Sequence, residues 1–132
     1  MKHTGAKVVL GIDALLFLLF GILYCLDPVK MAASVGIPLN EAGAIIDVQG
    51  LYGGLEMGLG LFLGICARTE ATLAPGLLAG SLTLGGIALT RMLAIARFGA
   101  PNTTVLGLVA LDSIGALINT GFLLKTARKL RS

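Results

Sequence analysis

Apolar residues fall in four long runs, at about residues 7–26, 47–67, 73–95 and 103–124, separated by short polar stretches. Each run is close to the roughly 20 residues an α-helix needs to cross the hydrocarbon of a bilayer. The pattern predicts an all-α, four-transmembrane-helix bundle, with residues 1–132 forming a single membrane domain. Asp27-Pro28 closes the first run, because proline disfavours helical geometry in the residue before it. Residues 29–35 read as a short interfacial helix, and residues 36–41 as a turn in which Asn40 is the candidate cap of the next helix. Arg68-Thr69-Glu70 forms a tight turn. The third span is expected to begin near Pro75, a residue type tolerated in a first helical turn, and to end near Arg91. Asn102, Thr103 and Thr104 are candidate caps of the fourth span.

Composition agrees with that pattern. Hydrophobic residues make up 56% of the chain and charged residues 13%, about half the charged fraction of soluble domains. Nineteen glycines and no tryptophan suit helices packed through small residues. Lys2, Lys7, Arg68, Lys125, Arg128, Lys129 and Arg131 fall on one side of the predicted topology. Lys30 and Arg97, with Arg91 close by, fall on the other, so both termini are expected on the cytoplasmic side. The basic tail also suits anionic lipid head groups. The first run is long, contains Asp13 and lacks a small-residue cleavage site, so it is expected to be retained rather than removed as a signal peptide. No interleaving of basic and aromatic residues points to nucleic acid. Cys25 and Cys66 form no CxxC and fall near opposite faces, too far apart to bridge within one chain. With a single, terminal histidine, they offer no usual metal site, and no cofactor is expected.

The second span holds the densest pattern. At about 100° per residue, Gly50, Gly54 and Gly58 share one side, while Gln49, Tyr52, Gly53, Glu56 and Gly60 lie nearly opposite. Small residues at four-residue spacing let helices approach closely, within one bundle or between protomers. Gly64, Gly76 and Gly80 extend the set of candidate packing positions. Four ionisable residues fall inside spans: Asp13, Glu56, Arg91 and Asp112. At a rise of about 1.5 Å per residue, Glu56 and Asp112 lie roughly 13 Å from the outer face, Arg91 about 6 Å and Asp13 about 18–20 Å. Arg91 is thus placed to reach Glu56 or Asp112. An isolated charge at this depth costs on the order of 3 kcal/mol on insertion scales, so these groups should face one another. One arginine cannot neutralise three acids; a proton, a cation, a polar ligand or water must complete the balance. Gln49 is expected to partner Glu56, and Asn119 to partner Asp112. Asp13 reads as structural or partly solvated. Phe17, Phe20, Tyr24 and Tyr52 are candidates to line an apolar pocket above the acids.

The block Tyr52-Gly53-Gly54-Leu55-Glu56-Met57-Gly58-Leu59-Gly60-Leu61-Phe62-Leu63, with Asp27-Pro28 after the first span and Arg91 late in the third, resembles a bacterial family of small four-helix membrane proteins of unknown function, similar to the DoxX-like group. In that family a basic residue commonly stands a few positions before the tyrosine; here Gln49 takes that general place. The resemblance implies a bacterial inner-membrane location and a four-helix fold, and no activity.

Three functional readings follow. The first is a non-enzymatic accessory or assembly subunit of a membrane complex or homo-oligomer, motivated by glycine-rich helix faces, little extramembrane mass and no catalytic constellation. The second is binding or proton-coupled transport of a small lipophilic or cationic molecule at Glu56, Asp112 and Arg91. The third is a membrane enzyme acting on a lipid-, quinone- or sterol-like substrate by acid–base chemistry. The bilayer, other membrane subunits or a second copy, and a small lipophilic ligand are the expected partners.

Overall fold

The computed structural model describes residues 3–99 and 101–130, with side chains through Arg128. Lys2 and Arg131, and the side chain of Lys129, lie outside the described residues. The described chain is all-helical: α1 is Thr4–Leu26, α2 is Pro28–Ser34, α3 is Ala42–Cys66, α4 is Glu70–Phe98 and α5 is Thr103–Leu130. The four long helices, of 23 to 29 residues, run about 35–44 Å at 1.5 Å per residue. That exceeds a hydrocarbon core of roughly 30 Å, so all four are long and apolar enough to cross a membrane. Helices are the economical form for such runs, because each satisfies its own backbone hydrogen bonds where water is absent.

Local chemistry sets the ends. Asp27 closes α1 and caps α2, its carboxylate accepting from the Lys30 N–H at 3.0 Å, with Pro28 in the first turn. Gly36, at φ +83°, ends α2: its N–H reaches the Ala33 carbonyl and that of Ile37 the Ala32 carbonyl. This is the paired C-terminal motif that calls for a left-handed residue. Gly99, also at a positive φ of +94°, ends α4, its N–H reaching the Ile95 carbonyl at 2.9 Å. Asn102 caps α5 by accepting from the Val105 N–H at 3.0 Å.

Three boundaries differ from the sequence reading. The second span begins at Ala42, after an extended Glu41 that makes no side-chain cap, so Asn40 is not the capping residue. The third span begins at Glu70, which puts Pro75 inside the helix rather than at its start. It also continues past Arg91 to Phe98. Glu70 and Thr72 masked the first of these extensions, and the charges of Arg91 and Arg97 interrupted the apolar run over the second.

The helices form two close pairs, α1 with α3 and α4 with α5, and contacts between the pairs are sparser. Glycine makes the first pair. A Cβ on Gly60 would stand 2.9 Å from the Ala14 carbonyl oxygen, and one on Gly21 would stand 2.8 Å from that of Gly53. Gly53 itself abuts Cys25, at 2.6 Å from its Sγ on the same construction, and Gly64 meets Ala14 at 3.6 Å. By contrast, Gly50, Gly54 and Gly58 meet nothing within 4 Å. The row expected to pack faces outward from the chain, and the opposite side of α3 makes the tight contact. Gly76 joins α4 to the first pair through Cys66 and Leu10, and Gly80 makes room for Asn119 of α5.

The buried core is a narrow stripe of Leu10, Ala14, Phe17, Leu63, Leu73 and Leu77 with smaller neighbours. Most large apolar side chains point outward instead: Leu15, Ile46, Leu82 and Leu117 are each about two-thirds exposed or more. Contiguous apolar surface on this scale requires a non-aqueous surrounding or a partner.

Candidate functional site: an acid-lined cavity between the helix pairs

Because the two pairs close tightly within themselves and loosely on each other, a cavity of about 440 Å³ remains between them. That volume falls in the usual range of small-molecule sites. Leu84, Ile87 and Arg91 of α4 and Tyr52 and Glu56 of α3 contribute to its wall, and Met31, Ser34 and Val35 of α2 and the turn after it cover one end. The Asn102 amide donates to the Ser34 carbonyl at 3.3 Å, tying that cover to the start of α5. A smaller space of about 180 Å³ shares Tyr24, Tyr52 and Arg91 at the same end.

Gln49–Leu55 is a π-helical segment within α3. Such segments insert a residue into the helical repeat and recur at functional sites. Here the segment sets three residues. The Gln49 amide donates to the Cys25 carbonyl at 2.9 Å, answering one of the last carbonyls of α1, which have no intrahelical partner. Gly53 lies flat against α1 at Cys25. Tyr52 stacks on Tyr24 with ring centroids 5.1 Å apart and planes at 26°. Glu56 follows as the first residue of the resumed α-helix and lines the cavity.

The charged groups divide into separate contacts. Arg91 donates to and ion-pairs with Asp112, joining α4 to α5. Asn119 donates to Asp13 at 2.7 Å and to the Gly115 carbonyl at 3.0 Å, joining α5 to α1. Glu56 makes no ion pair among the described residues, and its Oε2 is buried without a hydrogen-bond partner. The two amides therefore serve other acceptors than the sequence suggested: Asn119 holds Asp13 rather than Asp112, and Gln49 holds α1 rather than Glu56. Asp13 is not solvated but 7% exposed, in the floor of the cavity. Its sequence position near the start of α1 gave no hint of this, because α5 supplies the cover. Among the described residues, no three His, Cys, Asp or Glu side chains gather to hold a metal ion.

The cavity is open on one side. Ile12 of α1 and Leu111, Ile114 and Ile118 of α5 line it and are also 44–56% exposed on the outside of the chain. These side chains form an apolar rim between α1 and α5, next in sequence to the buried Asp13, Asp112 and Asn119. Sequence reasoning singled out the aromatic and acidic walls but not this rim, since alternating isoleucine and leucine on an outward face look like ordinary lipid-facing residues.

Fold and site together define a small all-α protein with four helices able to span a membrane, which frame a mostly apolar cavity that carries a few acidic groups. The family described as "Domain of unknown function (DUF4345)" matches residues 5–122, and the chain belongs to that family. No curated protein and no solved structure matches the chain.

Proposed function

We propose that this is a multi-pass membrane protein that binds a small lipophilic molecule in the cavity between its helix pairs. The observation that carries this reading is Glu56: a carboxylate with a buried, unpartnered oxygen on the wall of a cavity of about 440 Å³. An unanswered buried acceptor is costly to a folded chain, and a ligand that answers it recovers that cost. The arrangement of basic residues favours both termini on the cytoplasmic side, and the likeness to the DoxX-like group implies a bacterial inner-membrane location. The test is native mass spectrometry of the full chain extracted from its own membranes. A co-purifying small molecule is expected, and Gly107→Leu is expected to reduce it. Gly107 lines the cavity, and an added Cβ there meets nothing within 4 Å, so the new side chain starts in open space. A wild-type protein free of any such molecule, with no lipophilic compound binding saturably, refutes the reading.

A second reading, an accessory subunit or homo-oligomer, draws on the outward row Gly50, Gly54 and Gly58, which the chain's own packing does not use. Such rows suit close helix association between protomers. A protein that runs as a uniform lone monomer in mild detergent and in cross-linked native membranes counts against it.

A further inference from the structure

The chemistry of the cavity narrows the class of occupant, on the premise that the cavity is a binding site. Three carboxylates, Asp13, Glu56 and Asp112, and one guanidinium, Arg91, face it. Arg91 is committed to Asp112, and Asp13 has the Asn119 amide. Of the three carboxylates, Glu56 is the one left with a buried oxygen and no donor, and the Asn119 Oδ1 of the same cavity is a second unanswered acceptor. An anionic occupant would have to share Arg91 with Asp112 while lying beside the Glu56 carboxylate, placing like charges together in a poorly screened site. A neutral acceptor would leave Glu56 unanswered. A cation does neither. Beside Glu56, Tyr24 and Tyr52 present aromatic surface at the covered end, and such faces attract cations over and above carboxylate pairing. Below them, the apolar rim of Ile12, Leu111, Ile114 and Ile118 opens sideways.

We propose that the cavity takes a lipophilic amine in its ammonium form. The head group rests between the Glu56 carboxylate and the Tyr24–Tyr52 pair, and the apolar body passes between α1 and α5 into the acyl chains. Entry is from the bilayer, not from water, so the occupant needs a membrane-soluble body as well as a charge.

The chain carries its own reporter. It has no tryptophan and two tyrosines, Tyr24 and Tyr52, and both line the cavity. Tyrosine emission from the full-length protein in lipid vesicles therefore reads this site alone. The probes are dodecylammonium, dodecan-1-ol and laurate, compared at equal mole fraction in the bilayer. Dodecylammonium is expected to produce a saturable change at a mole fraction at least about tenfold below that for dodecan-1-ol, a difference of about 1.4 kcal/mol. Laurate is expected to give no saturable change. In Glu56→Gln the amine's advantage is expected to shrink to within about twofold, with the alcohol's response kept. If the alcohol or laurate matches the amine in the wild type, the charge assignment is overturned while ligand binding stands. If none of the three gives a saturable response, both the assignment and the binding reading fall. Should Glu56→Gln fail to fold, the three-probe comparison on the wild type decides the matter alone.

Discussion

Alanine substitution of glycine in α3 separates its two sides quantitatively. At Gly60 the new Cβ would sit 2.8 Å from Leu18 Cγ and 2.9 Å from the Ala14 carbonyl oxygen. Reaching ordinary contact at 3.4 Å requires α1 and α3 to separate by about 0.5 Å, from 3.4 − 2.9. The obstruction includes backbone, which cannot rotate aside. Overpacking of this kind costs about 1–3 kcal/mol, while alanine returns up to about 1 kcal/mol of helix propensity, for a net loss of about 0–2 kcal/mol. Gly21→Ala belongs to the same class, since it meets the Gly53 carbonyl and the Met57 amide, each at 2.8 Å. Gly53→Ala should cost less, because its nearest obstacle is the Cys25 Sγ, the end of a side chain. Gly58→Ala meets nothing within 4 Å and should be neutral or more stable by up to about 1 kcal/mol. The assay is equilibrium unfolding in mixed micelles with increasing dodecyl sulfate, followed by tyrosine emission, because separation of α1 from α3 breaks the Tyr24–Tyr52 stack. A loss at Gly58→Ala that equals or exceeds that at Gly60→Ala, and does not vary with protein concentration, refutes the assigned packing face. A loss at Gly58→Ala that shrinks on dilution points instead to association through the outward row, because self-association stabilises the chain only where it is concentrated enough to form.

The polar contacts make their own predictions in the same unfolding assay. Arg91→Met strips Asp112 of its partner and is expected to cost about 2–3 kcal/mol, below the value for fully buried pairs because the Arg91 side chain is 31% exposed. Adding Asp112→Leu is expected to recover part of that loss; a double variant less stable than Arg91→Met contradicts the pairing. Asn119→Ala leaves Asp13 without its donor and is expected to cost about 1–3 kcal/mol, with Asp13→Leu relieving it. Additive effects of these two substitutions would mean that they do not share a contact. Gln49→Leu is expected to cost about 1–2 kcal/mol by freeing the Cys25 carbonyl, and unchanged stability would show that water or lipid answers that carbonyl instead.

The four long helices were legible in the sequence because the property that suits them to a bilayer is local: about 20 apolar residues come in a run, and a run is visible without knowing its neighbours. Asp27-Pro28 and Asn102 were legible for the same reason, since a helix end is decided within a few residues. The ionisable residues that line the cavity were also conspicuous, because any such residue stands out inside an apolar run. Their pairing was not. Asn119 serves Asp13 across 106 positions of sequence, and Arg91 selects Asp112 rather than Glu56; these choices depend on how four rods rotate about their axes. The face of α3 that packs was likewise undecidable from spacing, since Gly50, Gly54 and Gly58 and the set Gly53 and Gly60 offer equally small surfaces. Only tertiary structure, with a π-helical turn at Gln49–Leu55 that shifts the register of everything after it, turned the second set toward α1 and left Glu56 facing an open space. Length and greasiness are properties of a segment, whereas rotation and register are properties of an assembly, and the cavity belongs to the second kind.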